Sequence, residues 1–258
     1  MRIIITGASG RMGQMLIRTV TEAEGVQLVG ATERQGSSAI GKNVADGVVI
    51  VDDLTQCAQA DVLIDFTAPE ACLSHARVVA AKSMAMVIGT TGFDASQQTE
   101  LDEILKDTPT VVAANYSVGV NLALNLIQQA AEVLNADYDA EIYEAHHKHK
   151  VDAPSGTALA MGKAAAAGRG VKLDDVAVYS REGITGAREA GSIGFSVARG
   201  GNIVGDHKAM FIADEERIEI NHFASDRMVF AKGAVRAAMW LCKQDAGRFD
   251  MQDVLGLK

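Results

Sequence analysis

Residues 2–13 read Arg2-Ile3-Ile4-Ile5-Thr6-Gly7-Ala8-Ser9-Gly10-Arg11-Met12-Gly13. Three consecutive isoleucines without alternation fit a short strand buried on both faces, and the glycines that follow break it. From about residue 10 to 21 the apolar positions Met12, Leu16 and Val20 recur at helical spacing. Residues 26–32 then read as a second strand. This is a strand–turn–helix–strand unit in just over thirty residues, and Gly7-x-x-Gly10-x-x-Gly13 is the dinucleotide fingerprint with its first spacing widened by one. Gly7 permits the tight turn, Gly10 lets backbone approach a pyrophosphate, and Gly13 lets helix pack on strand. The helix start offers N–H groups and partial positive charge to the phosphates.

The alternation continues downstream. Strands are expected at 61–66, 85–88 and 110–114, with helices at 69–82 and 95–105, which predicts a parallel sheet covered on both faces. Beyond that the texture changes. A long amphipathic helix at 120–134 precedes a strand at 139–145 and a helix at 155–167. Strands at 176–180, 192–198, 202–213 and 217–222 follow, then a helix at 226–242 with Asp226 as its N-cap. The fold class is α/β: a Rossmann-like nucleotide-binding domain with a mainly parallel sheet, plus a second α+β domain with an open mixed sheet. The first domain is placed at 1–117, with 227–258 returning to it, and the second, for substrate binding and oligomerisation, at 118–226. An uncovered sheet face suggests burial against other subunits.

Composition narrows the function. The chain has 258 residues, 48% hydrophobic and 22% charged, with a formal net charge of −9. A general affinity for nucleic acid or anionic membrane is excluded on charge, and aromatics at 5% are thin for base stacking. An anionic ligand must therefore meet a local cationic site. Cys57, Cys72 and Cys242 form no paired pattern, and the N-terminal strand leaves no room for a signal segment, so a cytoplasmic protein is expected.

The second strand ends at Glu33, twenty residues after Gly13, where an acid is expected to meet the adenosine ribose hydroxyls. Arg34 beside it and Arg11 in the turn could hold a 2′-phosphate, so use of both NADH and NADPH is expected. An ordinary solvated loop is the alternative. Gly89-Thr90-Thr91-Gly92 and Asn115-Tyr116 follow later strands at the edge where open α/β sheets bind ligands. They could face the nicotinamide end, or be plain turns.

Three of the six histidines fall in His146-His147-Lys148-His149-Lys150. His146 and Lys150, four apart, share a face in either a strand or a helix. Lysine is a natural proton donor, a cationic neighbourhood depresses its pKa, and His146 could donate or relay a proton. A solvated charged loop and a metal site are the alternatives. No nearby Cys or carboxylate completes a tetrahedral set, and no metal is expected. Pro154-Ser155-Gly156-Thr157 then starts a helix whose first turn can take a carboxylate, or is simply capped. A cationic cluster followed by an anion-binding helix start reads as a pocket for a small carboxylate substrate.

The run Glu144-Ala145-His146-His147-Lys148-His149-Lys150-Val151-Asp152-Ala153-Pro154-Ser155-Gly156-Thr157-Ala158 resembles the signature of the 4-hydroxy-tetrahydrodipicolinate (dihydrodipicolinate) reductase family of bacterial lysine biosynthesis. Gly7 to Gly13, Gly89 to Gly92, Val204-Gly205-Asp206-His207 and Val254-Leu255-Gly256-Leu257 also fit it, so the likeness covers essentially the whole chain. The resemblance implies that Gly7, Ala8, Ser9, Gly10, Arg11, Met12, Glu33, Arg34, Gly89, Thr90, Thr91, Ala113, Ala114, Asn115 and Tyr116 bind NAD(P)H. It implies that His147, Gly156 and Thr157 bind a cyclic dicarboxylate, with His146 a proton donor or acceptor and Lys150 a proton donor. It further implies a homotetramer joined through the second-domain sheets, and closure of the two domains over the substrate. Other nicotinamide dehydrogenases of amino-acid metabolism lack the His-His-x-His-Lys run. A nucleotide sensor would have no need of it.

Overall fold

The computed structural model describes all 258 residues, in two compact units: Met1–Val118 with Met228–Lys258, and Gly119–Arg227.

In the first unit, β1 (Arg2–Thr6), β2 (Gln27–Thr32), β3 (Asn43–Ala45), β4 (Val48–Val51), β5 (Val62–Asp65), β6 (Ala85–Ile88), β7 (Pro109–Val112) and a late β13 (Gly247–Phe249) form one sheet of order β13-β7-β6-β5-β1-β2-β4-β3. All pairings are parallel except β3 with β4. Ile3, Ile4 and Ile5 are all fully buried but point alternately. Ile3 and Ile5 pack with Leu16, Ile17 and Val20 of α1 (Arg11–Glu22) and with the alanine stripe of α7 (Met228–Leu241). Ile4 packs on the other face with Leu73 and Val79 of α2 (Pro69–Ala81) and Leu101 of α3 (Ala95–Ile104). Pro69 opens α2 at a position where its missing N–H costs nothing, and Asp94 and Gln97 form a reciprocal capping box on α3.

Strand order reverses at β1, which lies between β2 and β5, so the loops after β1 and β5 meet at the carboxyl edge of the sheet. Gly7 there has φ +65. A Cβ on Gly13 would stand 2.1 Å from the carbonyl oxygen of Gly7, so α1 can lie on the turn only without a side chain.

In the second unit, β8 (Asp139–His146), β9 (Ala177–Val178), β10 (Ile193–Arg199), β11 (Gly205–Ile212) and β12 (Arg217–Ala224) form a mixed sheet of order β12-β11-β8-β10-β9. The pairings of β10 are parallel, and those of β11 antiparallel. Alternate residues Ala140 and Ile142 of β8 and Ala209 and Phe211 of β11 pack on Ile127 of α4 (Val118–Leu134) and Met161 and Ala165 of α5 (Gly156–Gly168). The mainly parallel first sheet and the mixed second sheet are the expected fold class.

Several boundaries differ from the sequence expectation. The strand at 176–180 shrinks to Ala177–Val178 because α6 (Leu173–Val176) runs into it. The last long helix begins at Met228 rather than 226. The strands Asn43–Ala45, Val48–Val51 and Gly247–Phe249 and the short α8 (Met251–Leu255) are additions. No helix is long and apolar enough to cross a membrane.

Candidate active site

In the first unit a cavity of about 470 Å³ opens at the carboxyl edge of the sheet, lined by Gly7, Ser9 and Gly10 after β1, by Glu33 and Arg34 after β2, and by Phe66, Thr67 and His75 after β5. The α1 helix has Gly10 as its N-cap residue, with no side-chain cap and no acidic residue in its first turn. Its first N–H groups therefore remain for a ligand with negative charge. Glu33 closes the other side. Its Oε2 accepts from the Ser9 amide at 3.0 Å and the Ser9 hydroxyl at 2.5 Å, and its Oε1 accepts from the Arg34 amide at 3.0 Å. Burial opposes its charge, but the Ser9 and Arg34 contacts outweigh it and hold the carboxyl below its ordinary value. The arrangement fits the adenosine and pyrophosphate part of a dinucleotide: a cradle a Cβ would fill, an uncapped helix start, and an acid with an adjacent exposed arginine.

Each predicted cofactor residue has a definite place. Ser9, Gly10, Arg11 and Arg34 are exposed, Ala8 is buried with its amide on the Thr32 carbonyl, and Met12 packs on the core. A Cβ on Gly89 would lie 2.1 Å from Phe66 Cε1, so any larger residue there must displace that ring. Thr91 and Ala114 are exposed, Ala113 and Asn115 half-buried. Thr90 and Tyr116 depart from a picture in which side chains greet the nicotinamide. The Thr90 hydroxyl donates to Asp65 at 2.6 Å and accepts from the Thr67 amide at 2.7 Å. The Tyr116 ring is buried against Phe66, its hydroxyl donating to the carbonyls of Ile88 and Val111. What either residue offers a ligand is backbone.

Sequence reading missed Asp65. It is fully buried and accepts from the hydroxyls of Thr6, Thr67 and Thr90, with His75 Nδ1 at 2.6 Å. It ties the edge of β1 to the 66–68 and 89–91 loops. The signal was a lone acid ending an otherwise apolar strand.

In the second unit His146 is the last residue of β8, and 147–150 is a turn closed by the Lys150 amide on the His147 carbonyl at 3.1 Å. The segment is neither strand nor helix past His146, so the face-sharing argument for His146 and Lys150 does not apply. Turn geometry places them instead. The cluster is not purely cationic either. Lys150 Nζ donates to both oxygens of Asp152 at 2.8 Å, and His146 Nδ1 lies 2.7 Å from Glu144 Oε2. A carboxylate therefore lies beside the imidazole, and no group of His, Cys, Asp and Glu is arranged to hold a metal ion.

His147 Nε2 accepts from Arg227 at 3.3 Å. Loss of water contact, with the Arg227 guanidinium and neighbouring cations, lowers its pKa. Ser155 caps α5, accepting from the Ala158 amide at 3.2 Å, and lies 3.1 Å from His207 Nε2. Gly156, exposed, and Thr157, half-buried, begin that helix. His207 packs edge-on to His146 with ring centroids 5.0 Å apart. Burial above all, with the neighbouring His146, pushes His207 down to about 4. Lys148 and His149 are exposed. Arg199, Arg227 and His207 received no role from sequence; the two arginines are distant in the chain and carry no local motif.

Comparison with known proteins agrees with this picture. Residues 1–116 match the family described as "Dihydrodipicolinate reductase, N-terminus", and residues 119–255 match "Dihydrodipicolinate reductase, C-terminus". The chain is 53% identical to the 4-hydroxy-tetrahydrodipicolinate reductase of Bordetella parapertussis, over 99% of this chain and 97% of that one. It is 54% identical to the enzyme of that name from Ruegeria pomeroyi, over 99% and 98%. Among solved structures it superposes on a dipicolinate-bound dihydrodipicolinate reductase from Paenisporosarcina sp. TG-14 with a TM-score of 0.76 at 22% identity, covering 98% of each chain. This chain belongs to the dihydrodipicolinate reductase family and, by that membership, is an oxidoreductase that uses a nicotinamide cofactor.

Proposed function

We propose that this chain catalyses the NAD(P)H-dependent reduction of 4-hydroxy-tetrahydrodipicolinate to tetrahydrodipicolinate, in the diaminopimelate route to lysine. The observation that carries the assignment to this reaction is full-length identity of 53–54% to reductases of that name, together with a His146–Lys150 turn beside an anion-receptive helix start. In this reading the first unit takes the dinucleotide and the second the substrate.

A bound reduced nicotinamide supplies the hydride. Gly7 to Met12 hold the pyrophosphate through backbone, and Glu33 and Arg34 take the adenosine ribose or its 2′-phosphate. Gly89 to Thr91 and Ala113 to Tyr116 orient the nicotinamide end. His147 and the Gly156–Thr157 backbone bind a substrate carboxylate, the helix start supplying N–H groups and partial positive charge. Lys150 gives the proton that quenches electron density delivered to the unsaturated ring, and His146 donates or accepts a proton beside it. Overall a hydride and a proton enter the ring and water leaves. The protein contributes orientation and charge.

The same reading includes use of both NADH and NADPH, a cytoplasmic location and a homotetramer. For the last, Val197, Ile218 and Phe223 leave large apolar surface on the strands of the second sheet. Light scattering at a mass four times 27.2 kDa would support it, and a monomer would not. The reaction is tested by supplying cofactor deuterated at the transferring position. The label should appear in the cyclic product; product without label would refute direct transfer.

A further inference from the structure

Beneath His146 lies a carboxylate to which the reaction above gives no role. Glu144 is two residues earlier on β8, so its side chain is on the same face as His146, and it is only 1% exposed. Its acceptor positions are all taken. Oε1 accepts from the Ser155 amide at 2.9 Å and from Arg199 Nη2 at 2.8 Å. Oε2 accepts from Arg199 Nη1 at 2.7 Å and meets His146 Nδ1 at 2.7 Å. A lone carboxylate this buried would take up a proton; the two-pronged guanidinium compensates it. Burial is outweighed by the bonds from Arg199, His146 and Ser155, and the carboxyl stays below its ordinary value.

An ionised Glu144 has no hydrogen to give. The hydrogen in its contact with His146 therefore belongs to Nδ1, and Nε2 is left as the working nitrogen. On that side Gly205 keeps space open, since a Cβ there would stand 3.0 Å from His146 Nε2. The same carboxylate fixes Ser155, the cap residue before Gly156 and Thr157. Arg199 also donates to the Asp152 carbonyl at 2.7 Å, bracing the turn that follows Lys150.

We propose that Glu144, held by Arg199, is the positioning residue of this site: one buried carboxylate sets the tautomer of His146 and anchors the helix start that receives the substrate's carboxylate. The inference rests on the proton role given to His146 above. The charged or titratable groups around that ring are Glu144 on its own strand, His147 and Lys150 in the turn, Arg199 from β10 and His207 from β11; Glu144 is the anion in contact with it.

Glu144→Gln keeps the shape and removes the charge. It should lower kcat on the order of 10²-fold, the usual worth of a general acid or base, with cofactor affinity unchanged. Glu144→Asp should recover part of kcat. Nitrogen NMR on the substrate-free wild-type enzyme, with His146→Asn for assignment, should place the neutral ring's proton on Nδ1. In Glu144→Gln it should shift to Nε2. A wild-type ring protonated on Nε2 would overturn the proposal, as would a Gln variant with wild-type kcat. If the Gln variant does not fold, the wild-type spectrum and Arg199→Lys decide. The latter loses the fork and should lower kcat at constant cofactor affinity; wild-type kcat there would also overturn it. The NMR needs no substrate, so its outcome is separate from whether the assigned reaction occurs.

Discussion

Asp65 and His75 meet through a 2.6 Å contact from a fully buried carboxylate oxygen to Nδ1 of an imidazole that lines the first unit's cavity. Burial opposes the Asp65 charge, yet the hydrogen bonds from His75, Thr90 and Thr67 win and lower its pKa. Asp65→Ala removes the acceptor for several buried donors at once. It should cost about 3 kcal/mol, within the range for breaking a buried charged network. It should also raise KM for the cofactor by freeing the 89–91 loop. Urea unfolding and steady-state kinetics check both; a loss under about 1 kcal/mol would mean the network relaxes around the gap.

Cofactor choice is tested at Arg34. Glu33 is committed to Ser9 and to the Arg34 amide, while the Arg34 guanidinium is exposed at the cavity. Arg34→Ala should raise KM for NADPH on the order of tenfold, about the worth of one charge-assisted hydrogen bond, and leave NADH nearly unaffected. Equal losses for both cofactors would remove Arg34 from 2′-phosphate recognition.

Lys150→Ala should lower kcat on the order of 10²-fold or more while the dissociation constant for NADH stays the same. Stopped-flow turnover and a fluorescence titration separate the two. An unchanged kcat would exclude Lys150 as the proton donor.

How much of this was legible beforehand depends on locality. Gly7, Gly10, Gly13 and Glu33 lie within one strand–helix–strand unit, so their spacing alone predicts a shared turn, and they line or pack that turn. The His146–Lys150 run stood out by composition, but the face-sharing argument presumed regular structure where β8 stops. Val48–Val51 was hidden because four apolar residues among glycines and acids give too short a period to read. Arg199 and His207 reach Glu144 and Ser155 only through strand pairing, which no local pattern encodes.

His207 gives a pH prediction. Unfolded, it protonates near the ordinary value of 6.5; folded, only near about 4. Between those values the unfolded chain binds more protons, so folding stability should fall as pH drops from about 6.5 to about 4, by up to about 1.4 kcal/mol per pH unit. His207→Gln should flatten that slope. Urea denaturation at several pH values checks it; parallel wild-type and variant curves would show that His207 titrates normally.

The central claim is turnover, and the most direct measurement is nicotinamide absorbance after adding freshly generated 4-hydroxy-tetrahydrodipicolinate to the enzyme with NADH or NADPH. The account predicts that absorbance falls with either cofactor, in proportion to substrate supplied, and only when enzyme is present. Tight binding of the reduced cofactor with no loss of absorbance would contradict it and leave a nucleotide-binding protein in place of a reductase.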